Sequence, residues 1–115
     1  MEFSHKISDQ ILELNLGGDL IGESSGLDII ELVNNYIKDE IKLCAIDISG
    51  LRYINSSGIG VLITVLTKFR NKGGEVCLLN PSENVKKLLI ITKLNAIFNI
   101  AQTMDEAVEI LENSL

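Results

Sequence analysis

At 115 residues the chain is close to the preferred length of one domain and can enclose a single hydrophobic core. Hydrophobic residues make up 46% of it and charged residues 23%, a balance too apolar for a disordered chain. The formal net charge of -6 repels phosphate backbones and anionic membranes, and 4% aromatic content without tryptophan leaves few platforms for bases, so direct nucleic-acid binding is disfavoured and a basic or mixed protein surface is the better partner.

In chain order, Phe3 to Ile7 is a short candidate strand, and Ser8-Asp9-Gln10 can turn it into an antiparallel hairpin with a second strand. That second strand, Gln10 to Leu16, alternates apolar and polar residues and is expected to end at Gly17-Gly18. Ser24 or Ser25 can cap a first helix, on which Ile29, Leu32, Val33, Tyr36 and Glu40 share a face. The continuously apolar core of Lys42 to Ile48 reads as a buried, central strand.

A second helix starts at Ser56 or Ser57, carries an apolar stripe of Ile59, Leu62, Ile63, Leu66 and Phe69, and stops at Gly73-Gly74. Glu75 to Leu79 is the next strand. Pro81 stands at the first turn of a third helix whose Val85, Leu88, Leu89 and Thr92 share a face, leaving Lys86 and Lys87 solvated. A last strand, Ile97 to Ala101, leads to a terminal helix opened by Thr103, with Glu106 completing a capping box and Val108, Leu111 and Leu115 buried. Strands alternating with helices after an opening hairpin define an α/β fold with a mixed sheet of four to five strands and about four helices, in one domain spanning residues 1–115.

The longest uncharged stretch, Tyr53 to Thr67, is broken by polar residues and glycines and is too short for a bilayer. The start Met1-Glu2-Phe3-Ser4-His5 lacks the pattern of a signal peptide, which leads us to expect a cytoplasmic protein. Cys44 and Cys77 sit in apolar strand-like runs and read as core fillers, and no histidine companions suggest a metal. Gly17-Gly18 and Gly58-Ile59-Gly60 fit neither the P-loop spacing nor the dinucleotide fingerprint, and no nucleophile and base stand in a recognisable arrangement. The expectation is a binding protein without cofactor and without catalytic residues; His5 receives no role.

The informative segment runs from Ala45 to Leu62, a strand followed by Asn55-Ser56-Ser57-Gly58-Ile59-Gly60. It resembles the STAS domains of anti-sigma-factor antagonists, in which an Asp-Ser-Ser-Gly-apolar-Gly pattern opens a helix after such a strand. Gly18-Asp19-Leu20 looks like the family's Gly-Glu-Leu-Asp turn, and Asn80-Pro81-Ser82 with Val85 to Leu89 is similar to its third-helix segment, so the resemblance covers essentially the whole chain.

The resemblance implies docking onto an anti-sigma factor that is an ATP-using serine kinase, with Ser56, the first serine of the pair, as phosphate acceptor. It also implies a partner-binding surface of Asp19, Ile21, Asn55, Ser56, Ser57, Gly58 and Gly60. Taken without the resemblance, Ser56 or Ser57 is simply a helix cap. Asn55 stands where the best-known members carry aspartate, and Ile21 where the turn would place its last aspartate. These departures keep open the alternative of a STAS scaffold or accessory subunit, never phosphorylated, in a signalling or transport complex. Asp47 reads as the residue that terminates its strand and accepts hydrogen bonds from the following loop.

Overall fold

Two residues with positive φ, Asp9 (51°) and Gln10 (64°), make the tight turn that joins β1 (Glu2–Ser8) to β2 (Ile11–Leu20). Both central residues being left-handed gives the turn a twist that matches its flanking strands, and the pair is antiparallel from Ser8↔Ile11 to Glu2↔Gly17. The computed structural model describes residues 2–21 and 24–115, with Ser24 and Ser25 described in backbone only. The remaining elements are α1 (Ser24–Lys38), β3 (Leu43–Ile54), α2 (Ser56–Arg70), β4 (Glu75–Leu79), α3 (Glu83–Ile91), β5 (Asn99–Ala101) and α4 (Met104–Asn113).

The five strands lie in the order β1-β2-β3-β4-β5, with only the first pair antiparallel. This is the mixed sheet with four helices expected from the alternation of periods. Because successive side chains point to opposite faces, β2, β3 and β4 each feed two cores. Leu12, Leu14 and Leu16 of β2, Cys44 and Ile46 of β3 and Val76 and Leu78 of β4 join residues of α1, α2 and α3 in the larger core. Leu43, Ala45, Cys77, Leu79 and Ala101 face the other way and meet Ala107 and Leu111 of α4. The two cysteines are core fillers on opposite faces, since Cys44 is in register with Val76 and Cys77 with Ala45, and neither forms a disulfide.

The strands that carry the candidate site outrun their expected limits. β2 passes through both glycines, with Gly18 at φ 83°, and ends at Leu20. Asp47 does not terminate β3, which continues to Ile54. Asn15↔Asp47 is followed by Gly17↔Gly50 and Gly18↔Leu51 by Asp19↔Tyr53, so β3 holds an extra residue at each of two irregularities. Asp47 Oδ1 accepts from Ser49 N (2.9 Å) and Ser49 Oγ (2.7 Å) within the first of them. A side chain is crowded where the strands approach there: a Cβ on Gly50 would lie 3.2 Å from the Leu16 carbonyl oxygen. Beyond Asp47↔Leu79, β3 pairs with β2 alone. The ends of β2 and β3 therefore leave the sheet as a two-stranded ribbon that delivers the chain to α2.

Other boundaries differ for local reasons. Glu40 lies past the end of α1 with φ 67° and shares no helical face. Pro81 precedes the α3 cap, Ser82, whose side chain accepts from Val85 N, and Thr92 is the exposed C-cap of that helix. A short 3-10 turn, Leu94–Ala96, takes up the chain before Ile97, so β5 has three residues. Thr103 caps α4 by accepting from Glu106 N, and Leu115 lies past the helix end, 71% exposed, so Ala107 replaces it in the buried stripe. The cap expected at Ser24 or Ser25 involves side chains outside the described residues.

Candidate partner-docking site

The β2–β3 ribbon and the first turn of α2 form one surface at the carboxyl ends of the parallel strands. Leu20 and Ile54 are buried at its base and in register with each other, and Asn55 N donates to the Leu20 carbonyl oxygen at 3.3 Å. Asn55 itself is extended (φ -102°, ψ -178°), and its Oδ1 accepts from Gly58 N at 2.8 Å. Asn55 is thus the N-cap of α2, where the sequence pointed to Ser56 or Ser57. An amide oxygen caps as well as a carboxylate does in hydrogen-bond terms, so the residue that departs from the family pattern keeps this structural task.

The cap assignment releases both serines. Ser56 and Ser57 are the first two helical residues, both exposed, and among the described residues neither hydroxyl has a hydrogen-bond partner within the chain. They lie beside backbone N–H groups of the first helical turn, of which only some find partners inside a helix. No acidic side chain stands in that turn.

The two glycines of the motif separate in role. Gly58 is buried, and a Cβ there would collide with the Leu20 carbonyl oxygen and lie 2.9 Å from Ile54 Cγ1. Its task is to let the helix sit directly on the ribbon. Gly60 is exposed, and a Cβ built on it meets nothing within 4 Å. Only Gly60 leaves open surface on which another molecule can lie.

On the ribbon, Asp19 Oδ2 and Arg52 Nη2 are 3.3 Å apart in an ion pair between exposed side chains. Ile21 is 45% exposed and Tyr53 56% exposed, which gives the rim an apolar component. Asp19, Ile21, Asn55, Ser56, Ser57 and Gly60 are therefore brought to one end of the molecule, whereas Gly58 lies beneath it. The rim expected to run from Asp19 to Gly22 ends on Gly22, which is outside the described residues. Arg52 and Tyr53 were not among the residues expected from sequence. Their signal was a charged and an aromatic residue side by side between the apolar Leu51 and Ile54.

Between the start of α2 and α3 runs a cleft of about 530 Å³, with Tyr53, Ile59 and Leu88 among its apolar lining and Arg52, Ser56 and Asn84 among its polar lining. Among the described residues no group of three or more His, Cys, Asp or Glu side chains is placed to hold a metal, and no helix is long and apolar enough to cross a membrane.

A mixed sheet that projects a two-stranded ribbon and an exposed serine pair at a helix start defines the class of fold, a single α/β module. The family model of the STAS domain matches residues 2–107, and the chain belongs to that family. It is 27% identical over 107 residues to a Thermotoga maritima protein provisionally named an anti-sigma factor antagonist, covering 93% of this chain and 95% of the relative. A Thermotoga neapolitana homologue matches at the same 27% identity over the same 107 residues.

The crystal structure of the Thermotoga maritima protein has a TM-score of 0.86 at 25% identity, covering 96% of this chain and 94% of the other. The anti-sigma factor antagonist SpoIIAA in its unphosphorylated form shares the fold, with a TM-score of 0.74 at 18% identity, covering 96% and 98% of the two chains. The phosphorylated form of SpoIIAA from Bacillus gives 0.75 at 20% identity, covering 94% of this chain and 97% of the other.

Proposed function

We propose that this protein is an anti-sigma-factor antagonist that docks onto an anti-sigma serine kinase and is switched by phosphorylation of Ser56, so regulating sigma-factor-dependent transcription in the cytoplasm. The observation that carries the reading is the cap. Asn55 takes the hydrogen bond expected of a serine, and the Ser56 hydroxyl stands exposed without an internal task.

The kinase transfers the γ-phosphoryl group of ATP to Ser56 Oγ, the hydroxyl proton leaves, and ADP is released. A phosphate at the first position of α2 is favoured by the helix N-terminus, so the modified protein stays folded. Its added charge of about -1.5 to -2 instead falls on the surface that the partner must cover, and affinity drops through repulsion and desolvation. Asp19, Ile21, Asn55, Ser57 and Gly60 complete that surface, and Gly58 supports it from below. The protein acts by binding, with no catalytic step of its own.

Incubation with co-occurring serine kinases and ATP, followed by mass mapping, tests the switch. Phosphate at Ser56, its loss in Ser56→Ala with binding retained, and weakened binding of Ser56→Asp support it. Phosphate solely at Ser57, or on neither serine, removes it and leaves the unphosphorylated scaffold. The absent carboxylate at Asn55 and the apolar Ile21 favour that second reading. A marked rise in labelling of Asn55→Asp assigns the carboxylate to kinase recognition, and little change assigns position 55 to the cap.

A further inference from the structure

The cleft between α2 and α3 has one charged lining residue among the described residues, and it is a cation in a chain of net charge -6: Arg52, which shares the cleft with Ser56. Four positions of chain separate the two residues. The guanidinium rests on Asp19 through one contact of 3.3 Å, with the two side chains 77% and 45% exposed. A pair so exposed holds its partners weakly. A phosphate on Ser56 offers up to twice the charge of a carboxylate and three acceptor oxygens, and it suits the planar fork of a guanidinium.

We infer that Arg52 is the residue that reads the phosphorylated state: when Ser56 carries a phosphate, the Arg52 guanidinium leaves Asp19 and binds it across the mouth of the cleft. This rests on Ser56 as the phosphate acceptor and adds what the phosphate does inside the molecule. In the unmodified protein the Asp19–Arg52 pair is neutral and ties the ends of β2 and β3 together at the rim. In the phosphorylated protein Asp19 stands as an unpaired carboxylate on the docking surface, while Arg52 offsets part of the phosphate charge. The partner then meets negative charge at two points of the rim, one of them on a residue that was never modified.

The test installs phosphoserine at position 56 during translation, which makes it independent of any kinase, and follows the phosphate by ³¹P NMR titration at low salt. A guanidinium in contact stabilises the dianion and lowers the second phosphate pKa. In the Arg52→Ala protein that pKa should therefore lie about half a unit or more above the wild-type value, with Arg52→Lys between. Asp19→Asn, which removes the competing carboxylate, should leave the pKa at or below wild type. Exposure of both side chains lets these variants fold, as an unchanged melting temperature would verify. Equal phosphate pKa values in the wild-type and Arg52→Ala proteins overturn the inference, whatever the kinase results. Absence of kinase labelling overturns the proposed switch and does not alter this pKa comparison.

Discussion

The two ends of α2 are built from the same kinds of residue and differ in what those residues have left over. At the C-terminal end Asn71 is the C-cap, Gly73 has φ 77°, and a Cβ on Gly74 would collide with the Lys42 carbonyl oxygen. Arg70 donates to Glu75 Oε1 at 3.0 Å and to the Ile97 carbonyl oxygen at 2.7 Å. Polar groups there are spent on connecting α2 to β4 and to the turn before β5. The N-terminal end also has an asparagine cap and a glycine without side-chain room, yet the hydroxyls of Ser56 and Ser57 and the open surface at Gly60 are not used inside the chain. Unspent polar groups on a buried base distinguish the proposed docking surface from a connection.

Substitutions at the glycines break this comparison most directly. Gly58→Ala and Gly74→Ala each force a methyl group into a backbone carbonyl and should destabilise the fold by about 1–3 kcal/mol, read as a shift in the urea midpoint, with Gly58→Val worse. A Gly58→Ala protein as stable as wild type would place Gly58 on the docking surface with Gly60. Loss of the cap comes next: Asn55→Ala should cost about 1 kcal/mol, while Asn55→Asp keeps the acceptor and gains a few tenths from the helix N-terminus.

Gly60→Ala should stabilise the protein by about 0.5–1 kcal/mol, because a helical glycine gives way to alanine in open space. A bulky residue at the same place should leave the melting temperature near wild type and weaken partner binding.

A further effect lies outside the site and appears only at alkaline pH. Burial, and then the proximity of Cys77, pushes the Cys44 thiol far above its ordinary 9.0, while burial followed by Glu106 and Glu75 raises Cys77 to about 11. The unfolded thiols lose protons near 9.0 while the folded ones keep them. The stability they contribute is therefore complete below that pH and is lost as pH rises toward and beyond 11. Urea midpoints of wild type and a Cys44→Ala/Cys77→Ala protein should converge across this range, and native thiols should resist alkylation near neutrality. Fast labelling of either cysteine would contradict its burial.

Sequence periodicity was sufficient for the elements whose faces are set locally. Leu12, Leu14 and Leu16 alternate and are all buried, and Leu62, Leu66 and Phe69 fall on one buried stripe of α2. It failed where backbone contacts between distant segments decide the outcome. Gly17-Gly18 reads as a stop, but pairing with Gly50 and Leu51 carries β2 on to Leu20. Leu115 continues the spacing of Leu111, but the helix ends before it and it meets no core.

For the site, composition and motif together pointed to a binding surface: an acidic chain and a helix opened by two serines and two glycines. Sequence alone also marked the segment from Asn55 to Gly60 as the place to look. The tertiary structure decided which of those residues do what. An asparagine, a serine and a threonine are all competent caps, and only the path of β3 past the edge of β4 sets Asn55 at the angle where its oxygen reaches Gly58 N. Likewise, Gly58 and Gly60 are equivalent in the chain, and the Leu20 carbonyl oxygen beneath one of them makes it part of the fold while the other faces outward. Asp19 and Arg52, 33 positions apart, meet only because the ribbon pairs β2 with β3. Local preferences are written in neighbouring residues, but the use of a polar group depends on what the folded chain brings within hydrogen-bond distance of it.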